Sequence, residues 1–206
     1  LWSELFHMGY FSYYPLIALT VLAPLFTNRN QFSRVTFVVL ASFFLYYLIY
    51  LFLPVAGPQY YFHAVGTEVI QSGHFPQLGN YFRYHTELAP SPGPEGFFRE
   101  LVESTQQSGE RPTAAFPSSH VGMSTVLMML LWRIKRPLLV CAFPFYFFLC
   151  CATVYIQAHY LVDVFGGFVT AVIFYALTNW AYTRWRTAKD LSLIHISEPT
   201  RPERIS

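Results

Sequence analysis

The chain has 206 residues, of which 54% are hydrophobic and only 12% are charged, and its formal net charge is +2 at pH 7. Soluble domains carry about a quarter charged residues, so this composition excludes an ordinary water-soluble domain and indicates an integral membrane protein. The small net charge gives no reason to expect nucleic-acid binding. The three cysteines share one apolar stretch, which fits neither a disulfide framework nor a metal site; they are Cys141, Cys150 and Cys151.

Five stretches are apolar enough to cross a bilayer, which requires a helix of about 20 residues. They cover residues 10–26, 35–53, 121–132, 137–157 and 164–182. The third is short, and we expect it to extend through the basic turn that follows it. The predicted fold is therefore an all-α, polytopic integral membrane helical bundle with about five spans.

The two ends of the sequence differ from the rest. The chain begins with Leu1, so we expect its natural start to be missing and the complete chain to have six or more spans. The stretch LSLIHISEPTRP at residues 191–202 is polar, contains two prolines and resembles a translated sequencing adapter. We therefore expect one membrane domain over residues 1–190, followed by an artefactual tail at residues 191–206.

Basic residues occur in alternate connections, and such residues mark the cytoplasmic side of a membrane protein. Eight of them flank one side of the predicted bundle: Arg29, Arg34, Arg133, Lys135, Arg136, Arg184, Arg186 and Lys189. The long connection 54–119 holds three arginines against six glutamates, so we expect it to face the periplasm or cell exterior of a bacterial inner membrane. Within it, residues 96–106 are expected to form a short amphipathic helix.

Polar residues from two distant segments are expected to meet at this outer face. The segment FPSSHVG places His120 at the outer start of the third span, and HYLVDVFGG places His159 at the outer end of the fourth. Asp163 follows His159 by four residues, which puts both on one face of a helix. Ionisable side chains at membrane depth are by default a functional hypothesis.

This trio has a definite chemistry. A carboxylate bonded to one imidazole nitrogen fixes the tautomer and leaves the other nitrogen as a nucleophile or base. A second histidine can protonate a leaving oxygen. Pro117 and Ser118 are typical of a helix start, where backbone N–H groups form an anion site. Together these features suggest phosphoryl transfer through a phosphohistidine.

The two segments resemble the type 2 phosphatidic acid phosphatase superfamily, which also includes vanadium haloperoxidases, over residues 35–182. The resemblance implies that His159 is the nucleophile, Asp163 its orienting partner and His120 the general acid. It also implies that Ser118 and Ser119 help to bind the phosphate of a lipid phosphate or pyrophosphate. We expect no cofactor and no metal, because the spacing of His63, His74 and His85 matches no metal site.

The family carries Lys-x6-Arg-Pro, then Pro-Ser-Gly-His, then Ser-Arg-x5-His-x3-Asp, and several of these positions are occupied differently here. Ser119 stands where the family usually has Gly, Ala152 and Thr153 stand in place of a Ser-Arg pair, and Ser104 stands in place of a Lys. Arg111 is a candidate phosphate ligand, with a solvated loop charge as the alternative interpretation.

Members that resemble inositol phosphorylceramide synthase and sphingomyelin synthase keep the two histidines and the aspartate while relaxing the cationic motifs. Three functions therefore stay open: a lipid phosphatase, a lipid phosphotransferase that moves a phospho-headgroup, and a non-catalytic membrane scaffold or transporter.

Overall fold

The structure is a computed structural model that describes residues 1–197, and the side chains of residues 1–189. Within this part of the chain there are nine α-helices and no extended strand. The helices are α1 (Trp2–Phe11), α2 (Tyr13–Thr27), α3 (Phe32–Phe52), α4 (Pro58–Val65), α5 (Thr67–Gln71), α6 (Phe97–Gly109), α7 (Ser119–Ile134), α8 (Arg136–Tyr155) and α9 (Leu161–Ser197).

Four helical segments are long and apolar enough to cross a membrane, and they confirm the all-α membrane fold. They are Trp2–Thr27, Arg29–Phe52, Arg136–Tyr155 and Leu161–Lys189, and they correspond to the first, second, fourth and fifth stretches expected from the sequence. The first begins at Trp2 instead of residue 10, because α1 continues into α2 across Ser12, whose backbone is helical.

The expected third span does not continue through the basic turn. Helix α7 ends at Ile134, Lys135 is extended, and α8 begins at Arg136. Pro137 has no N–H to donate to the carbonyl of Arg133, so a helix through the turn would lose a hydrogen bond there. With 16 residues, α7 is about 24 Å long, which is shorter than the roughly 30 Å hydrocarbon core of a bilayer.

Helix α7 lies inside the bundle and contacts α2, α3, α8 and α9. Val121, Met123, Val126 and Leu127 are completely buried, as expected of a helix that is apolar on all sides and enclosed by protein. Large side chains of α8 and α9, such as Phe147 and Val169, are exposed instead. The short helix is thus the core of the bundle, and its neighbours present the apolar outer surface.

Two glycines allow α7 and α9 to approach closely near their N-termini. A Cβ atom on Gly167 would lie 2.7 Å from the carbonyl oxygen of Ser118, and one on Gly122 would lie 1.7 Å from the hydroxyl of Tyr46. Neither position therefore accommodates a side chain. This close crossing brings the start of α7, with His120, next to the start of α9, with His159.

The 54–119 connection folds over this end of the bundle. The short helix expected at residues 96–106 is present as α6, which packs on α1 through the buried Val102. The carboxylate of Glu4 accepts hydrogen bonds from the first N–H groups of α6, at Phe98 and Arg99, which satisfies donors that a helix start leaves free.

The predicted boundary between a domain at residues 1–190 and a tail at residues 191–206 stays a prediction. Helix α9 is continuous through Ser197, and residues 198–206 lie outside the described part of the chain.

Candidate active site

His159 lies in the short segment between α8 and α9 and is buried. Its Nδ1 atom is 2.9 Å from the carbonyl oxygen of Ala115, and its backbone N–H donates to the carbonyl of Thr153 at 3.0 Å. Because a carbonyl oxygen only accepts hydrogen bonds, Nδ1 carries the proton. The lone pair of the imidazole is therefore on Nε2.

Asp163 lies beside His159 but serves first as a helix cap. Its Oδ2 atom accepts a hydrogen bond from the backbone N–H of Tyr160 at 2.8 Å and is 3.8 Å from Nδ1 of His159. As the third residue of α9, Asp163 reaches back to the residue before the helix, as in a capping box. We expected this carboxylate to bond the imidazole directly; in the structure the carbonyl of Ala115 makes that bond.

His120 is the second residue of α7, and its ring lies between two tyrosines. The ring centroids of Tyr10 and Tyr13 are each 4.6 Å from that of His120, and the centroid of His159 is 5.8 Å away. The two imidazoles expected at one membrane level are thus adjacent, close enough for a single phosphate group to contact both rings.

Glu110 is a site residue that the sequence did not indicate. Its carboxylate accepts hydrogen bonds from the Tyr10 hydroxyl, from Gln59 at 3.2 Å and from Gln106 at 3.3 Å, and it lies 3.9 Å from Nε2 of His120. Desolvation raises the pKa of this carboxyl above its ordinary value of 4.5, although the hydrogen bond from Tyr10 opposes the shift. Glu110 is thus a carboxylate next to the expected general acid.

The serines at the start of α7 have distinct environments. Ser118 is completely buried, and its Oγ accepts the N–H of Val121 at 3.3 Å as a helix cap. The N–H of Ser119 donates to the hydroxyl of Tyr50 at 3.0 Å, and that hydroxyl donates to the carbonyl of Pro117 at 2.8 Å. Two N–H groups that we expected to be free for an anion therefore have protein partners.

Both histidines line a cavity of about 510 Å³. Its wall includes Ser119, Arg111 and Glu110 from the 54–119 connection, together with a group of tyrosines: Tyr13, Tyr14, Tyr46, Tyr47, Tyr50 and Tyr60. The tyrosines of the second span, expected to serve mainly in packing, thus contribute to the cavity wall. Ser118 and Asp163 are not among its lining residues.

Cationic side chains are scarce around this cavity. Of the lining residues, only Arg111 is a lysine or arginine, and Glu110 is the one carboxylate. Thr153, which stands at the position of the family's arginine, is completely buried and donates to the carbonyl of Cys150 at 2.8 Å. Ser104, at the position of the lysine, is exposed on α6 and does not line the cavity.

The remaining candidate ligands lie apart. His63, His74 and His85 are exposed, as expected of loop-surface residues, and the three cysteines are unbonded. Among the residues that the structure describes, no three His, Cys, Asp or Glu side chains are grouped so that they could hold a metal ion.

Comparison with known proteins identifies the class to which this fold and site belong. The family model of the PAP2 superfamily matches residues 3–177, which extend from α1 into α9. The chain therefore belongs to the PAP2 superfamily, the phosphatidic acid phosphatase superfamily that its two histidine motifs resemble. No curated protein and no solved structure matches the chain.

Proposed function

We propose that this protein hydrolyses a lipid phosphate or pyrophosphate through a phosphohistidine on His159. Membership of the PAP2 superfamily supports a phosphatase-like activity on phosphate esters, and the membrane-spanning helices fit a lipid substrate. The observation that carries the proposal is the position of Nε2 of His159. The other ring nitrogen, Nδ1, is hydrogen-bonded to the carbonyl of Ala115, and the ring centroid of His120 is 5.8 Å from that of His159.

The proposed reaction has two steps. In the first, Nε2 of His159 attacks phosphorus, the bond to the leaving oxygen breaks, and His120 donates a proton to that oxygen. In the second, His120 takes a proton from water, which attacks phosphorus and releases His159. The Asp163 carboxylate, 3.8 Å from Nδ1, stabilises the positive charge that His159 gains.

Glu110 and Arg111 complete the proposed machinery with opposite charges. Burial and the neighbouring His159 lower the pKa of His120 to about 3, so a general acid here needs a group that favours its protonated form. The carboxylate of Glu110, 3.9 Å from Nε2 of His120, is the candidate for that role. The guanidinium of Arg111 at the cavity wall is suited to bind a phosphate oxygen. The backbone N–H of His120, in the first turn of α7, is a further candidate donor, while Ser118 supports the site as a cap.

We propose that the site opens on the outer face of a bacterial inner membrane. Arg133, Lys135 and Arg136 lie at the end of α7 opposite to His120, and such basic residues mark the cytoplasmic side. The histidines would then lie at the periplasmic or exterior end of the bundle, beneath the 54–119 connection.

The test is phosphate release by the purified protein in detergent, with phosphatidate as the substrate. We expect His159→Ala to abolish release. His63→Ala should leave release unchanged, because His63 is exposed and does not line the cavity that holds the two histidines. Equal release by the wild type and His159→Ala would contradict the mechanism. A non-catalytic scaffold or transporter would release no phosphate in any variant.

A second candidate is a lipid phosphotransferase, and the single guanidinium at the cavity favours it. A phosphomonoester carries a charge of about −1.5 to −2 at neutral pH, whereas a phosphodiester carries one negative charge, which one arginine can balance. In this case a lipid hydroxyl replaces water in the second step, as in the inositol phosphorylceramide synthase-like branch. Incubation with phosphatidylinositol and a ceramide or diacylglycerol acceptor would then yield a new phospholipid instead of free phosphate.

A further inference from the structure

A groove of about 500 Å³ lies between α7, α8 and α9, towards the end of the bundle opposite to the histidines. Helices α8 and α9 both pack closely on α7 but make little contact with each other, so part of α7 stays uncovered between them. Along α7 the groove extends from Thr125 to Arg133, which is about 12 Å of helix. It shares no lining residue with the cavity that holds the histidines and is therefore a separate site.

Most of this groove is apolar and open to the outer surface of the bundle. Its lining includes Met128, Met129 and Phe143, and the side chain of Phe143 is exposed. At the inner end of the groove, the hydroxyl groups of Thr125 and Tyr146 are hydrogen-bonded to each other at 2.9 Å. The greater part of the groove therefore suits a hydrocarbon chain and not a polar ligand.

Positive charge is concentrated where the groove ends at the turn between α7 and α8. The guanidinium carbon of Arg133 lies 5.4 Å from the ring centroid of Tyr175, and that of Arg136 lies 4.9 Å from the ring centroid of Trp132. Lys135 adds a third cation to the turn. The ion pairs between described residues all lie elsewhere, and no carboxylate is among the described lining residues. This end of the groove is thus suited to an anion.

Tyr175 gives independent evidence for a ligand at this end. Its side chain lines the groove and is only 7% exposed, yet its hydroxyl forms no hydrogen bond with any residue that the structure describes. Buried polar groups nearly always have a partner. Because the guanidinium of Arg133 lies over the ring of Tyr175, an anionic ligand at this position can accept hydrogen bonds from both side chains.

We propose that this groove binds an anionic phospholipid, with one acyl chain along its apolar part and the phosphate at Arg133. An acyl chain gains little by leaving the bilayer for the groove, because lipid tails are themselves apolar. Selectivity therefore comes from the head group, and the guanidinium groups favour a lipid with a net negative charge over a zwitterionic one. Basic pockets between transmembrane helices bind anionic head groups in the same way.

A second copy of this chain is a poorer occupant of the groove. Symmetric dimers form through the same surface on both subunits, so a dimer through this groove would bring the basic turns of the two copies together. Arg133, Lys135 and Arg136 of each copy would then repel those of the other, whereas an anionic lipid compensates their charge.

Trp132 lines the groove, so its fluorescence reports which lipid occupies the site. The other tryptophans, Trp2, Trp180 and Trp185, are exposed and are replaced by phenylalanine in the full chain. This protein is reconstituted in phosphatidylcholine vesicles that contain rising fractions of phosphatidylglycerol or phosphatidylcholine with brominated acyl chains, which quench a tryptophan that they contact. The ratio of the two association constants measures the preference for a negatively charged lipid.

Three substitutions in this background test the parts of the site. Arg133→Gln removes the charge at the end of the groove, and Tyr175→Phe removes the unpaired hydroxyl without changing the ring. Arg184→Gln is the matched control, because Arg184 is an exposed arginine near the same end of the bundle and does not line the groove.

We expect phosphatidylglycerol to associate at least about fivefold more tightly than phosphatidylcholine. Arg133→Gln should lower this preference about fivefold, Tyr175→Phe should lower it by a smaller factor, and Arg184→Gln should leave it nearly unchanged.

Equal association of the two lipids with the wild-type groove would overturn the inference, and so would equal preferences in Arg133→Gln and Arg184→Gln. Absence of quenching by either lipid would mean that protein, such as a second copy of the chain, covers the groove, and would overturn it as well. None of these results depends on the proposed phosphohistidine chemistry, because the groove is separate from the histidine cavity.

Discussion

His159 and His120 face each other across one cavity, but different parts of the chain hold them. His159 is held by groups close to the motifs themselves, namely the carbonyl of Ala115 and the cap made by Asp163. His120 instead contacts Tyr10 and Glu110, which belong to the first span and the 54–119 connection. The proposed nucleophile is therefore positioned by residues in or next to the two motif segments, whereas the proposed acid also depends on the packing of the first span and α6 against this end of the bundle.

After loss of the nucleophile itself, the largest effect is expected from removing the proposed acid. His120→Gln keeps a polar side chain of similar length between the tyrosines but cannot protonate the leaving oxygen. We expect phosphate release from phosphatidate to fall by about 10²–10⁴-fold, as measured by kcat in detergent. The same substitution at exposed His63 is the control, and an equal fall in both variants would contradict the role of His120.

A smaller loss is expected at Asp163, because the imidazole of His159 is held by a backbone carbonyl. Where a carboxylate alone fixes the tautomer, its replacement by an amide costs about 10⁴-fold. Asp163→Asn retains an oxygen for the N–H of Tyr160, and Ala115 still accepts from Nδ1. We therefore expect kcat to fall only about 10–100-fold, equivalent to about 1.4–2.7 kcal/mol of lost charge stabilisation. A loss near 10⁴-fold would show that Asp163, and not Ala115, controls the tautomer.

The approach of His120 to His159 depends on the close crossing of α7 and α9, where both helices carry a glycine. Gly167→Ala would place its Cβ 2.7 Å from the carbonyl oxygen of Ser118 at the start of α7, so the two helices must move apart. We expect a destabilisation of about 1–3 kcal/mol, as for other overpacked sites, measured as a lower Tm in detergent. Gly109→Ala, where a Cβ meets no atom within 4 Å, should change Tm little, and similar Tm values for both variants would refute the close crossing.

The smallest effect concerns the Glu110 carboxyl, whose pKa is raised by desolvation in the folded protein. A raised pKa means that the folded state binds the proton more tightly than the unfolded state. Stability from this group is thus fully present below its ordinary pKa of 4.5 and is lost as pH rises through the folded pKa.

Substitution tests this dependence. The Tm advantage of the wild type over Glu110→Gln should shrink as the pH is raised from about 4.5, the ordinary pKa of this carboxyl. Glu100→Gln changes an exposed carboxylate on α6 and should show a nearly constant difference. An advantage that grows with pH at Glu110 would contradict the desolvated carboxyl.

The sequence predicts the features that follow from its apolar stretches and from the hairpin that α7 and α8 form. The apolar stretches gave the four long spans, and two helices joined by a tight turn must return to the same face, which places His120 opposite His159. Helix α7 is shorter than the predicted third span because Pro137 prevents the helix from continuing through the basic turn. The short helix is nevertheless stable, since its buried side chains face protein instead of lipid.

The partners of the histidines could not be read from the sequence for physical reasons. The carbonyl of Ala115 is a backbone group, and backbone groups leave no trace in residue type. Glu110 and Tyr10 are 100 positions apart and meet only because α6 packs on α1. Ser118 was expected to contact phosphate, but a buried N-cap hydroxyl is also what a helix start favours, and residue type alone does not separate the two roles.

Rapid-quench labelling with ³²P-phosphatidate tests directly whether His159 carries the phosphoryl group during turnover. We expect an acid-labile, alkali-stable label on the peptide containing His159, formed and lost at rates compatible with turnover and absent from His159→Ala. Phosphate release by the wild type without label on His159, or with label on another residue, would contradict it.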